Sequence, residues 1–120
     1  MGRLTTHVLD TALGVPAKNM KIGLYELVKQ GSQVVHRHIK DVVTNHDGRI
    51  SEPLLEGAEL ASASYELVFQ VGAYFKSMGS SHGGVFLDEV PIRFRIQDAG
   101  AHYHVPLLVS PWAYSTYRGS

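Results

Sequence analysis

The chain has no cysteine, so a disulfide framework and thiolate chemistry are both excluded. It has no charge excess either: 11 basic residues balance 11 acidic ones, whereas nucleic-acid binders carry a clear basic surplus. No apolar run approaches the ~20 residues that span a bilayer, and none at the N-terminus resembles a signal peptide. A protein of the cytoplasm, with neither nucleic acid nor membrane as partner, is expected. No Gly-rich phosphate loop follows a strand, and no Gly-x-Ser-x-Gly elbow is present. What is there is ordinary for a globular domain: 120 residues, 44% hydrophobic and 18% charged, enough for one domain spanning residues 1–120 with its own core.

Hydrophobicity repeats with period two more often than 3.6, in short runs split by turn residues, which is the pattern of an all-β sandwich. Strands are expected at Leu4–Leu9, Lys21–Val28, Gln33–Thr44, Ser64–Val71, Val90–Gln97, His102–Val109 and Ala113–Arg118, with room for one short strand between Ser51 and Ala61. Gly14-Val15-Pro16 reads as a turn, Gln30-Gly31-Ser32 as a hairpin loop, and Asn45-His46-Asp47-Gly48 as a tight turn in which Asp-Gly supplies positive φ. Ala73–Met78 reads as a short helix ending at Gly79, followed by a loop at Ser80–Gly84.

Alternation assigns the faces. In the penultimate strand Tyr103, Val105, Leu107 and Val109 form a core face, and His102, His104, Pro106 and Leu108 form the other. That second face is neither wholly polar nor wholly apolar, which predicts cover from another subunit, although a surface strand with incidental histidines is the plainer reading of periodicity alone. In the first strand Thr5, His7 and Leu9 share a face, opposite Thr6, Val8 and Asp10. Arg49 follows the Asp47-Gly48 turn, and Ser115 and Tyr117 share a face of the last strand. His36-x-His38 and His102-x-His104 each place two imidazoles on one strand face, but no third ligand stands at telling spacing, so no metal is expected.

Taken together, these segments resemble a known family. Thr6-His7-Val8-Leu9-Asp10 with Gly14-Val15-Pro16-Ala17, then Asp47-Gly48-Arg49, Tyr74-Phe75 and Pro91-Ile92-x-Phe94, and above all the closing His102-Tyr103-His104-Val105-Pro106-Leu107-Leu108, Tyr114-Ser115-Thr116 and Tyr117-Arg118-Gly119-Ser120 are similar to the transthyretin-like 5-hydroxyisourate hydrolases, in order and over nearly the whole chain. Asp88 departs from the pattern, standing where the family often has Pro.

The resemblance implies a transthyretin-like (prealbumin-like) two-sheet β-sandwich of about eight strands, with one short helix after the fifth, assembled as a homotetramer whose subunit interfaces hold the sites. It implies hydrolysis of 5-hydroxyisourate to 2-oxo-4-hydroxy-4-carboxy-5-ureidoimidazoline in urate breakdown, a cyclic-amidase reaction that needs no cofactor. The implied catalytic residues are His7, Arg49, His104 and Ser120, with Tyr117, Arg118, Gly119 and Ser115 binding substrate. Either His104 or His7 is the base that activates water, since imidazole titrates near neutrality. The rival is a transthyretin-type hormone carrier without catalysis, whose channel would be mostly apolar.

Overall fold

The computed structural model describes residues 1–120 as two facing sheets. In chain order the elements are Arg3–Asp10 (β1), Val15–Pro16 (β2), Lys21–Gln30 (β3), Gln33–Val43 (β4), Leu55–Glu56 (β5), a 3-10 turn at Gly57–Glu59, Ala63–Gln70 (β6), Val71–Ser77 (α1), Glu89–Ile96 (β7), His102–Val109 (β8) and Tyr114–Thr116 (β9). One sheet runs β2-β1-β8-β9, with β5 also paired to β1, and the other runs β4-β3-β6-β7. All pairings are antiparallel except β1 with β8, which run parallel with Thr5 opposite His104 and His7 opposite Pro106.

The period-two reading is confirmed at the core. Leu4, Val8, Val105 and Leu107 from one sheet meet Ile22, Leu24, Leu67 and Phe69 from the other, all buried. Each such side chain is worth roughly 1.5–3 kcal/mol of burial, which makes this interlayer the main driving force for the sandwich. The buried hydroxyls are satisfied: Thr6 donates to the Val105 carbonyl at 2.6 Å, and Thr44 accepts from Met20 N–H while donating to the Ala17 carbonyl.

Several boundaries differ from the sequence expectation by one or two residues, as where β3 runs on to Gln30, and three of the differences have a clear physical cause. Val15–Pro16, read as a turn, forms a two-residue ladder with Leu9 and Asp10, so nine strands are present and the helix follows the sixth. The helix begins at Val71, not Ala73, because the chain passes from β6 into α1 without a linker and buries Val71, Gly72, Tyr74 and Phe75. The last strand ends at Thr116. Pro106 of β8 has no N–H to offer it, and its carbonyl is taken by the Thr116 hydroxyl at 2.8 Å.

Asp10 closes β1 from inside the core. Its Oδ1 accepts from the N–H groups of Ala12 and Leu13, and its Oδ2 accepts from the Tyr74 hydroxyl at 2.9 Å. Burial, helped by the hydrogen bond and charge of Asp10, raises the Tyr74 phenol far above its ordinary value, so it stays protonated and holds α1 against the end of β1.

Candidate active site

The outer face of β1 and β8 carries the chemistry. Because the two strands run parallel in that register, the His104 ring lies between Thr5 and His7. Its Nδ1 is 2.7 Å from Thr5 Oγ1 and its Nε2 is 2.6 Å from His7 Nδ1. The two rings are tilted by 30° with centroids 4.7 Å apart. Both nitrogens of His104 are thus engaged inside the chain, whereas His7 Nε2 has no partner within it. His7 is therefore the imidazole with a nitrogen left for a ligand.

Arg49 is delivered by the turn before it. The Asn45 side chain accepts from the N–H groups of Asp47 and Arg49, and Gly48 turns with φ of +71°. Gly48 is required twice, since a Cβ there would also collide with the Val8 carbonyl, which lies beside it because Val8 N–H donates to Gly48 O at 2.8 Å. The result is a backbone bridge that sets Arg49 beside His7.

The C-terminal segment supplies the third wall. Beyond Thr116 the chain leaves the ladder and returns at Gly119, whose N–H donates to the His104 carbonyl at 2.7 Å. Gly119 fits because it lacks a side chain: a Cβ there would stand 2.8 Å from His104 Cδ2.

These walls enclose a cleft of about 560 Å³ in which only three of fifteen lining residues are hydrophobic. His7, Arg49, His104, Tyr117, Gly119 and Ser120 all line it. Two expected residues do not. Ser115 stays in the β8–β9 ladder opposite Leu108, and Arg118 lays its guanidinium over the Tyr103 ring at 4.1 Å while donating to the His102 carbonyl. The cleft also contains Arg3, Thr5, His102 and Glu52, which the sequence reading did not name as site residues. Period two places Arg3 and Thr5 on the His7 face and His102 on the His104 face, so that signal was available; Glu52 lies in irregular chain and gave none. Two other cavities, of about 740 and 690 Å³, contain no imidazole. Of the remaining paired histidines, His36 lies against Glu66 and His38 against Asp41.

The electrostatics favour neutral imidazoles. Both pKa values are lowered. For His7 the causes are desolvation, then His104, then Arg49; for His104 they are desolvation, then Arg49. A neutral pair at neutral pH can accept a proton from water, next to a guanidinium able to hold an oxyanion.

A model of the HIUase/Transthyretin family matches residues 4–119. The 5-hydroxyisourate hydrolase of Ralstonia nicotianae is 58% identical over 121 residues, covering 100% of both chains. The 5-hydroxyisourate hydrolase 2 of Rhizobium meliloti is 57% identical, covering 99% of this chain and 97% of its own. Among solved structures, the Klebsiella pneumoniae 5-hydroxyisourate hydrolase superposes with a TM-score of 0.77 at 33% identity, each chain covered completely. With the family model spanning nearly every residue and these relatives matching end to end, the chain belongs to the HIUase/transthyretin family.

Proposed function

We propose that this protein is an enzyme that hydrolyses 5-hydroxyisourate, opening its lactam to give 2-oxo-4-hydroxy-4-carboxy-5-ureidoimidazoline in urate breakdown. The carrying observation is the hydrogen-bonded His7–His104 pair, with one free imidazole nitrogen, in the same cleft as Arg49 and the chain end. End-to-end similarity to two 5-hydroxyisourate hydrolases names the substrate.

In this reading the free Nε2 of His7 is the base. It takes a proton from water as the water oxygen bonds to the lactam carbonyl carbon. The carbonyl oxygen becomes an alkoxide held by the Arg49 guanidinium. When the alkoxide collapses, the C–N bond breaks and the proton on the imidazole pair passes to the leaving nitrogen, leaving a carboxylic acid that gives its own proton to solvent and becomes the product carboxylate. Ser120 and Tyr117 hold the substrate edge. General base help is worth roughly 10²–10⁴-fold and an oxyanion donor roughly 10²–10³-fold. The polar lining argues against the hormone-carrier alternative, whose pocket would be apolar.

A homotetramer with sites at the subunit interfaces is part of the proposal. Its support is the family resemblance and the exposed aromatics of this sheet, with Tyr117 lining the open cleft and Trp112 and Tyr114 at the opposite end of β8. Light scattering after size-exclusion chromatography tests the assembly. The function is tested by adding purified protein to freshly generated hydroxyisourate and following its ultraviolet absorbance. Accelerated decay is expected, and decay at the spontaneous rate would refute the hydrolase reading.

A further inference from the structure

The His7–His104 pair has a third member. Thr5 Oγ1 lies 2.7 Å from His104 Nδ1, within the cleft, and this is the only hydrogen bond its side chain makes within the chain. A hydroxyl can donate or accept there, and the two choices have opposite consequences two rings away. If Thr5 donates to Nδ1, His104 carries its proton on Nε2 and donates to His7 Nδ1. His7 is then protonated on Nε2, and neither ring offers the cleft a lone pair. If Thr5 accepts from Nδ1–H, His104 Nε2 is bare and accepts from His7 Nδ1–H. Nε2 of His7 then faces the cleft with its lone pair free.

We propose that Thr5 is a positioning residue that accepts a hydrogen bond from His104 Nδ1–H, fixes the tautomers of both imidazoles and so makes His7 Nε2 the base. This deepens the hydrolase reading and rests on it. The same hydroxyl serves the next step. When His7 Nε2 takes the water proton, the Nδ1 proton of His7 can cross the 2.6 Å bond to His104 Nε2. The resulting imidazolium of His104 keeps its Nδ1–H on Thr5, so the positive charge moves to His104 and off the ring nearest the substrate. Thr5 never touches the reacting atoms. The other charged or titratable groups around the pair are Arg3 on β1, His102 and Tyr103 on β8, Arg49 and Glu52 after the turn, and Tyr117. None of them is hydrogen-bonded to either imidazole ring.

The test compares Thr5→Val, which removes the acceptor at nearly constant shape, with Thr5→Ser, which keeps it. Two readouts are needed: kcat and KM on hydroxyisourate, and the ring-nitrogen NMR spectrum of protein labelled with [15N]histidine. Thr5→Val is expected to lower kcat at least fivefold with KM within twofold. The His104 Nδ1 signal should move from a protonated position in the wild type toward a tautomer average. Thr5→Ser should keep at least half the wild-type kcat and the wild-type spectrum. A smaller kcat loss in Thr5→Val, or an unprotonated Nδ1 in the wild type, overturns the proposal. A kcat loss with an unchanged spectrum also overturns it, since it marks Thr5 as a packing residue. The spectrum needs no turnover, so an inactive wild-type protein would sink the hydrolase reading while the tautomer assignment is still decided by the nitrogen signals.

Discussion

The Nδ1 of His7 sits 2.6 Å from the Nε2 of His104, so these two nitrogens share one proton. Everything the site can do as a base follows from that sharing. Protonating one ring raises the cost of protonating the other, and Arg49 adds to the cost for both.

Replacing His7 with Gln removes the free imidazole nitrogen. kcat should fall by roughly 10²–10⁴-fold, the range lost with a general base. Thermal unfolding followed by circular dichroism should show a folded protein, because His7 lies outside the core. A variant with wild-type kcat would return the base role to another group.

The lowered imidazole pKa values set a pH dependence. If the neutral pair is the active form, kcat/KM falls as pH drops through the depressed values, so the acid limb lies below 6.5. Arg49 lowers both pKa values, so Arg49→Gln should move that limb upward as well as cut kcat by roughly 10²–10³-fold. Stability carries the same sign. The unfolded chain takes up protons near 6.5 that the folded pair refuses, so stability is greatest above 6.5 and declines as pH falls toward the folded values. An acid limb above 6.5 in the wild type would contradict this account.

Gly119→Ala tests the C-terminal wall. Its methyl would press on the His104 ring from 2.8 Å. Gly119 lies beyond the last strand and is held by one backbone hydrogen bond, so this segment can give way and unfolding free energy should change by less than about 0.5 kcal/mol. Activity should fall several-fold, and deleting Gly119-Ser120 should harm turnover more than stability. Equal losses of both would mark the tail as a structural strap.

Tyr74→Phe should do the reverse. It strips Asp10 Oδ2 of its donor in a buried setting and should cost about 1–3 kcal/mol in urea unfolding. The cleft is untouched, so kcat of the folded protein should match wild type.

Most strands were legible because alternation alone marks a half-buried strand, as in Tyr103, Val105, Leu107 and Val109. The face of a residue was therefore readable, but its neighbour was not. Period two placed Thr5 with His7, yet only the parallel register of β1 and β8 sets Thr5 against His104. Ser115 and Tyr117 were placed on one strand face, and Pro106 separates them: the ladder ends beside it at Thr116, Ser115 remains paired, and Tyr117 departs to the cleft. Val15–Pro16 carried the residues of a turn, and its pairing depends on where β1 ends, which local sequence does not encode.

The parallel pairing of β1 with β8 joins residues about a hundred positions apart, with 97 separating His7 from His104 and 99 separating Thr5 from His104. Contacts of such high order form slowly, because a long loop must close before they repay its entropy. During synthesis β1 must wait for about a hundred further residues before β8 emerges to pair with it. Catalytic competence therefore cannot precede this pairing, and turnover during refolding appears only after the β1–β8 seam has closed.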